Sequence, residues 1–168
     1  EEFHDALITA GFMTERETQI HDCLKWEEAL YKEGRLVHLS EHKNKIRIAA
    51  ELLPLYKAVF PEITKDIRIH PEFNSNDWSQ EDAITEIIRA RLESSGPISA
   101  LQIAEDLSID EGKVETALLR LQAEGFAFQG YFSTRTVKAD LELTKYKAEV
   151  EWCERRLLQR IHKYSIDS

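Results

Sequence analysis

The side chains able to serve as nucleophile, acid, base or metal ligand are poorly spaced for catalysis. Of six histidines, two stand in adjacent pairs, His4-Asp5 and His21-Asp22. Neighbouring positions on a helix point in different directions, so neither pair forms a proton relay, and a structural role is the favoured reading. His38 and His42 flank a polar turn, but a metal needs a third ligand that the neighbouring sequence does not supply. The two cysteines, Cys23 and Cys153, stand far apart in no zinc or redox spacing and read as free intracellular thiols. The six glycines are scattered singly, so no loop cradles a phosphate, and no nucleophile elbow or HExxH pair exists. We expect no enzymatic activity, metal or cofactor of this chain by itself.

Cations offer the other chemistry. The segment Arg35–Arg47 holds Arg35, Lys43, Lys45 and Arg47, with His38 and His42, against one acid, Glu41. Such a hairpin can lie on a phosphate backbone, or equally protect its own edge with lysines. A second basic stretch, Arg155 to Lys163, puts Arg156, Arg160 and Lys163 one turn apart beside an apolar stripe of Leu157, Leu158, Ile161 and Tyr164.

Elements must hold these charges in place, and 168 residues with 42% hydrophobic and 32% charged composition suffice for one generous domain or two small ones. No run nears the ~18 apolar residues of a membrane span, and the start shows no signal-peptide pattern, so we expect a cytoplasmic protein with no membrane partner. The chain begins at Glu1 and its last helical pattern stops in mid-run, from which we expect a piece of a longer protein. Net charge is −9, which argues against coating nucleic acid by charge alone. Residues 1–78 carry 10 basic and 15 acidic residues, 79–132 carry 4 and 10, and 133–168 carry 8 and 6.

The pattern repeats. Phe3, Ala6, Leu7 and Ile8 end at Gly11, and Thr14 with Glu17 has the spacing of a capping box. A helical stretch follows to Gly34, then two alternating runs, 35–39 and 45–49, around a polar turn predict a hairpin. Residues 51–59 predict another helix, with Pro54 in its first turn. Turn formers at 61–78 predict a linker, with a short extended pass at Ile67–Ile69. Ser79 starts a helix to Gly96, Ser99 caps a short helix, and Ser108 with Glu111 predicts a third that ends at Gly125. A strand follows through Phe126 to Phe132. This is the order of a winged helix-turn-helix. The expected architecture is mainly α with small β-wings: a winged-helix-like domain at 1–60, a linker at 61–78, a winged helix with a long wing at 79–150, and a basic amphipathic helix at 151–168. The reading helix of the second unit offers Lys113, Thr116, Arg120 and Gln122 beside Glu111, Glu115 and Glu124, a poor set for base recognition.

The stretch Trp152-Cys153-Glu154-Arg155-Arg156-Leu157-Leu158-Gln159-Arg160-Ile161-His162-Lys163-Tyr164 resembles a signature of the Lhr (large helicase-related) proteins, superfamily 2 ATP-dependent DNA helicases. Similar text surrounds it: Trp78-Ser79-Gln80-Glu81-Asp82-Ala83, Gly96-Pro97-Ile98-Ser99, Leu121 to Phe126, Gly34-Arg35-Leu36-Val37 and Ala49 to Leu55. The chain departs from the family in lacking the Walker A lysine and the DExH box. The resemblance therefore implies the accessory winged-helix region, with ATP and Mg belonging to motor domains elsewhere in a parent chain. It implies single-stranded or unwinding DNA and RecA-like motor lobes as partners, and weak contact without sequence preference. The implied contacts are Arg155, Arg156, Arg160 and Lys163 to phosphate, Trp152 and Ile161 stacking or wedging on a base, and His162 as hydrogen-bonding group; for Trp152 and Ile161, which lie near the apolar stripe, core packing is the slightly favoured reading. Alongside these stand Arg35, Lys43, Lys45, Arg47, Lys113 and Arg120. The alternatives are a winged-helix scaffold for proteins, and less so an accessory domain of DNA-glycosylase type.

Overall fold

The computed structural model describes residues 2–20, 24–73, 77–131 and 150–156, and over them the chain is mainly helical with two small antiparallel sheets. Helix α1 (Glu2–Ala10) buries Phe3 and Leu7 and stops at Gly11, whose φ of +81° suits glycine. A Cβ there would also lie 3.2 Å from Ala90 Cβ, so the turn is pressed against a later helix. The predicted capping box forms: Glu17 N donates to Thr14 Oγ1, and Thr14 N to Glu17 Oε1. It opens α2 (Glu15–Ile20), and α3 (Leu24–Lys32) leads to Gly34 at φ +71°. The hairpin follows, β1 (Leu36–Leu39) against β2 (Ile46–Ala49), in register from Leu36↔Ala49 to Leu39↔Ile46. Met13 bridges Arg47, adding a one-residue third strand to β2.

A 3-10 turn (Ala50–Leu52) leads into α4 (Leu53–Val59), with Pro54 in its first turn, and α5 (Pro61–Thr64) comes next. The extended pass expected at Ile67–Ile69 forms no strand. Helix α6 (Gln80–Ser94) starts at Ser79, whose Oγ accepts from Asp82 N. Strand β3 (Ile98–Ser99) runs into α7 (Ala100–Leu107), capped by Ser99 Oγ through Gln102 N. Helix α8 (Glu111–Ala123) ends before Gly125 at φ +76°, and β4 (Ala127–Gly130) follows. Strand β5 (Glu151–Glu154) returns between β3 and β4.

Two expectations need correction. Ser108 does not cap α8: it is left-handed (φ 53°, ψ 45°) and closes α7, while Asp110 occupies the N-cap. Residues 151–154 are strand, not the start of a basic helix. Trp152 pairs with Ile98 and Gln129, which long-range pairing alone dictates. The hydrophobic core also runs across 61–78. Phe12, Leu39, Ile48 and Tyr56 belong to one cluster with Ile84, Ile87, Leu107 and Leu118. Charged and polar groups cross the same boundary. Arg91 Nη1 donates to Phe12 O at 3.2 Å and its Nη2 pairs with Glu17 at 2.6 Å.

Candidate nucleic-acid interface

The hairpin turn is the first basic site, and it is docked rather than free. His42 Nε2 lies 2.7 Å from Leu107 O, and Asn44 Nδ2 donates to the carbonyls of Glu105 and Asp106 at 2.7 and 2.9 Å. The last carbonyls of a helix have no partner within it, so this turn supplies the C-terminal cap of α7. Asn44 N donates to His42 Nδ1, which leaves Nε2 as the N–H that meets Leu107 O and keeps the ring neutral. Burial pushes the His42 ring below its ordinary value, against the Leu107 hydrogen bond.

The four cations expected to act together on this hairpin separate. Arg47 is buried: its Nε donates to Glu27 Oε1 at 2.8 Å, and Nη2 lies 3.8 Å from Glu15. A guanidinium held there cannot reach a strand. Arg35 is half-buried, with Nη2 3.0 Å from His4 Nδ1 and Nη1 3.5 Å from Glu33; His4 Nε2 in turn meets Glu51 at 3.0 Å. Lys43 and Lys45 remain exposed, and the fold brings them to one cleft with Arg16, which the sequence did not single out. Glu15, Glu105 and Asp106 line that cleft too. Arg16 was legible only through the Met13–Arg47 bridge, which places the start of α2 beside the hairpin.

His38 has Glu27 at 3.5 Å and the Tyr31 ring edge-on at 5.0 Å. Burial lowers its pKa, against Glu27 and with the Arg47 charge. Among the described residues no group of three His, Cys, Asp or Glu could hold a metal.

On α8 the two candidate cations turn toward α6. Lys113 Nζ donates to Gln80 Oε1 at 3.2 Å, and Arg120 Nη2 to Asp82 Oδ1 at 2.8 Å. The hydrogen bond to Arg120, then that to Ser79, holds the Asp82 carboxyl below its ordinary value. Both ends are well exposed, so the pair is a weak tether. The other exposed stripe of α8, Glu111, Glu115 and Leu119, carries no cation.

The Trp-Cys-Glu-Arg-Arg stretch splits where β5 ends. Trp152 and Cys153 are buried, and Trp152 joins the main core. Trp152 thus takes the core-packing role and not the base-stacking one: at 5% exposure it offers no open ring face for a base. Cys153 is a free cysteine whose thiol burial pushes up to about 11, with Glu154 and Glu151 adding to it. Arg155 N donates to Phe126 O at 2.9 Å, just before β4, and Arg155 and Arg156 stand out into solvent. The Arg156 side chain is 85% exposed, its Nε 3.9 Å from Glu154. The remaining candidates, Arg160, Ile161, His162 and Lys163, lie outside the described residues. Among the described residues no helix is long and apolar enough to cross a membrane.

Comparison with known proteins gives no match, whether among family models, curated proteins or solved structures.

Proposed function

We propose that this chain is a tandem winged-helix accessory region of an Lhr-like ATP-dependent DNA helicase, one that touches nucleic acid through phosphates and not through base edges. The winged-helix part is supported by a repeated order of elements. Each half runs helix, short paired segment, helix, helix, positive-φ glycine, strand and strand, with the last strand paired on both edges. The Lhr part rests on the resemblance of residues 152–164 and their flanks.

The mode of contact is carried by one observation, the distribution of exposed cations. A helix that reads a major groove aims several Arg, Lys, Asn or Gln at base edges. Here Lys113 and Arg120 are engaged by Gln80 and Asp82, Thr116 Oγ1 bonds back to Gly112 O, Gln122 is half-buried, and the stripe of Glu111, Glu115 and Leu119 offers two carboxylates and a leucine. Arg16, Lys43, Lys45, Arg155 and Arg156 stay exposed and can neutralise a passing backbone. Contacts of that kind hold a strand in any register, as a wall beside a translocating motor must. ATP hydrolysis belongs to the parent's motor lobes, and the accessory region contributes no catalytic group.

The test is fluorescence anisotropy of the chain on oligothymidylate across a salt series. With four or five phosphates neutralised, the log-affinity should fall with log salt at a slope of about −3 on single strands. Replacing Lys43, Lys45, Arg155 and Arg156 by Ala should flatten most of that slope. An affinity indifferent to salt, or to those four changes, refutes the proposal. A second reading, a scaffold for partner proteins, is favoured by an acidic and apolar groove in the second half.

A further inference from the structure

We propose that the groove between α8 and the β3–β5–β4 sheet is a docking site for a basic amphipathic helix of a partner protein. The groove has a volume of about 370 Å3. Glu111, Glu115 and Leu119 form one wall, four residues apart on α8 and therefore on one face. Leu101 at the start of α7, Val150 and Trp152 line it as well. Leu119 is 55% exposed, Leu101 42% and Val150 38%, so three aliphatic side chains border one depression in contact with water.

Charge selects the occupant. Among the described residues no Lys or Arg lines the groove. Residues 79–131 hold four basic and ten acidic residues. Three of those four are committed: Arg91 to Glu17, Arg89 to Glu124 at 2.7 Å, and Arg120 to Asp82. The described lining therefore carries two carboxylates and no cation, which disfavours a phosphate backbone and favours a cationic partner. The two glutamates stand one helical turn apart, the spacing of Lys or Arg at i and i+4 on a helix laid alongside α8. The apolar face of such a helix sets its i, i+3, i+4 and i+7 side chains against Leu101, Leu119 and Val150. This inference does not depend on the phosphate contacts, which lie on other elements.

The probe is a fluorescein-labelled synthetic peptide with Leu at helical spacing and Lys elsewhere, compared with a scrambled peptide of the same composition. Titrated with the full chain, the patterned peptide should bind about tenfold tighter than the scrambled one. Leu119→Ser should weaken it about fivefold, and Glu111→Gln with Glu115→Gln should weaken it several-fold and reduce its salt dependence. All three positions are exposed, so circular dichroism should show the fold retained. Lys43→Ala with Lys45→Ala should leave peptide binding unchanged, which separates this result from the oligothymidylate test. Equal binding of the two peptides, or indifference to Leu119→Ser, overturns the proposal. So does a loss of oligothymidylate binding in Leu119→Ser, which would make nucleic acid the occupant. Loss of self-association in that variant would do the same in favour of a second copy of the chain.

Discussion

Replacing Arg91 by Ala tests whether the two halves of the chain behave as one body. Arg91 stands on α6 with its side chain 9% exposed. Its Nη2 and Nη1 grip the two oxygens of Glu17 at 2.6 and 3.1 Å, Nη1 also reaches Phe12 O, and Asp106 Oδ2 lies 3.4 Å from Nη2. The guanidinium carbon is 4.3 Å from the centre of the Phe12 ring. Burial works to raise the Glu17 carboxyl, but the hydrogen bonds and charge of Arg91, with help from Thr14, hold it below its ordinary value. Burial raises Asp106 despite Gln102 and Arg91, and the Glu17 charge adds to the rise. Arg91 thus serves Glu17 first, in keeping with the shorter contacts. Removing one member of a buried pair costs ~3–5 kcal/mol. Glu17 keeps 32% exposure and can rehydrate, so we take the lower end, ~3 kcal/mol. For a chain of this size that lowers Tm by about 6–12 °C. Urea unfolding followed by circular dichroism measures it, and Arg91→Ala combined with Glu17→Gln should give a coupling of about 2 kcal/mol. The Glu17 pKa is depressed in the folded state, so its contribution is present above pH 4.5 and is lost as pH falls below that value. That acid loss should shrink in Arg91→Ala. A cost under ~1 kcal/mol, or strict additivity with Glu17→Gln, refutes the reasoning.

Gly11→Ala should destabilise by about 2 kcal/mol in the same assay, from a left-handed φ and a crowded approach to Ala90. His42 is lowered in the folded state, so its contribution is full above pH 6.5 and is lost as pH falls from there toward the folded value. Stability measured from pH 7.5 to 5 should decline accordingly, and His42→Gln, whose amide can both donate to Leu107 O and accept from Asn44 N, should flatten the decline. Cys153, with its thiol at about 11, should resist iodoacetamide at pH 8 and react about two orders of magnitude faster once unfolded, as read by mass spectrometry of its peptide.

Local signals in the sequence located most helices. Ser79 and Ser99 cap where their spacing places them, Thr14 and Glu17 close a reciprocal box, and Gly11, Gly34 and Gly125 stop helices at positive φ. What escaped depends on partners far along the chain. Ser108-x-x-Glu111 has the same spacing as a true cap, yet the end of α7 claims Ser108 first. Trp152 and Cys153 sit in a stretch whose apolar spacing also suits a helix, and only pairing with β3 and β4 makes them strand. Arg47 looks like one more hairpin cation until Glu27, on a different element, draws it inside. The turn formers at 61–78 hold α5 and a 3-10 turn at Pro71–Phe73, and the Arg91–Glu17 pair spans the stretch. Of the candidate site, Lys43, Lys45, Arg155 and Arg156 kept the exposure their roles need, and Trp152 and Arg47 did not.

The most direct measurement is a 15N–1H correlation spectrum of the chain titrated with oligothymidylate. Contact through phosphates should move the amides of Arg16, Lys43, Lys45, Arg155 and Arg156 and leave those of Glu111, Glu115 and Leu119 in place. Shifts concentrated along α8, with the five cations unmoved, would contradict it.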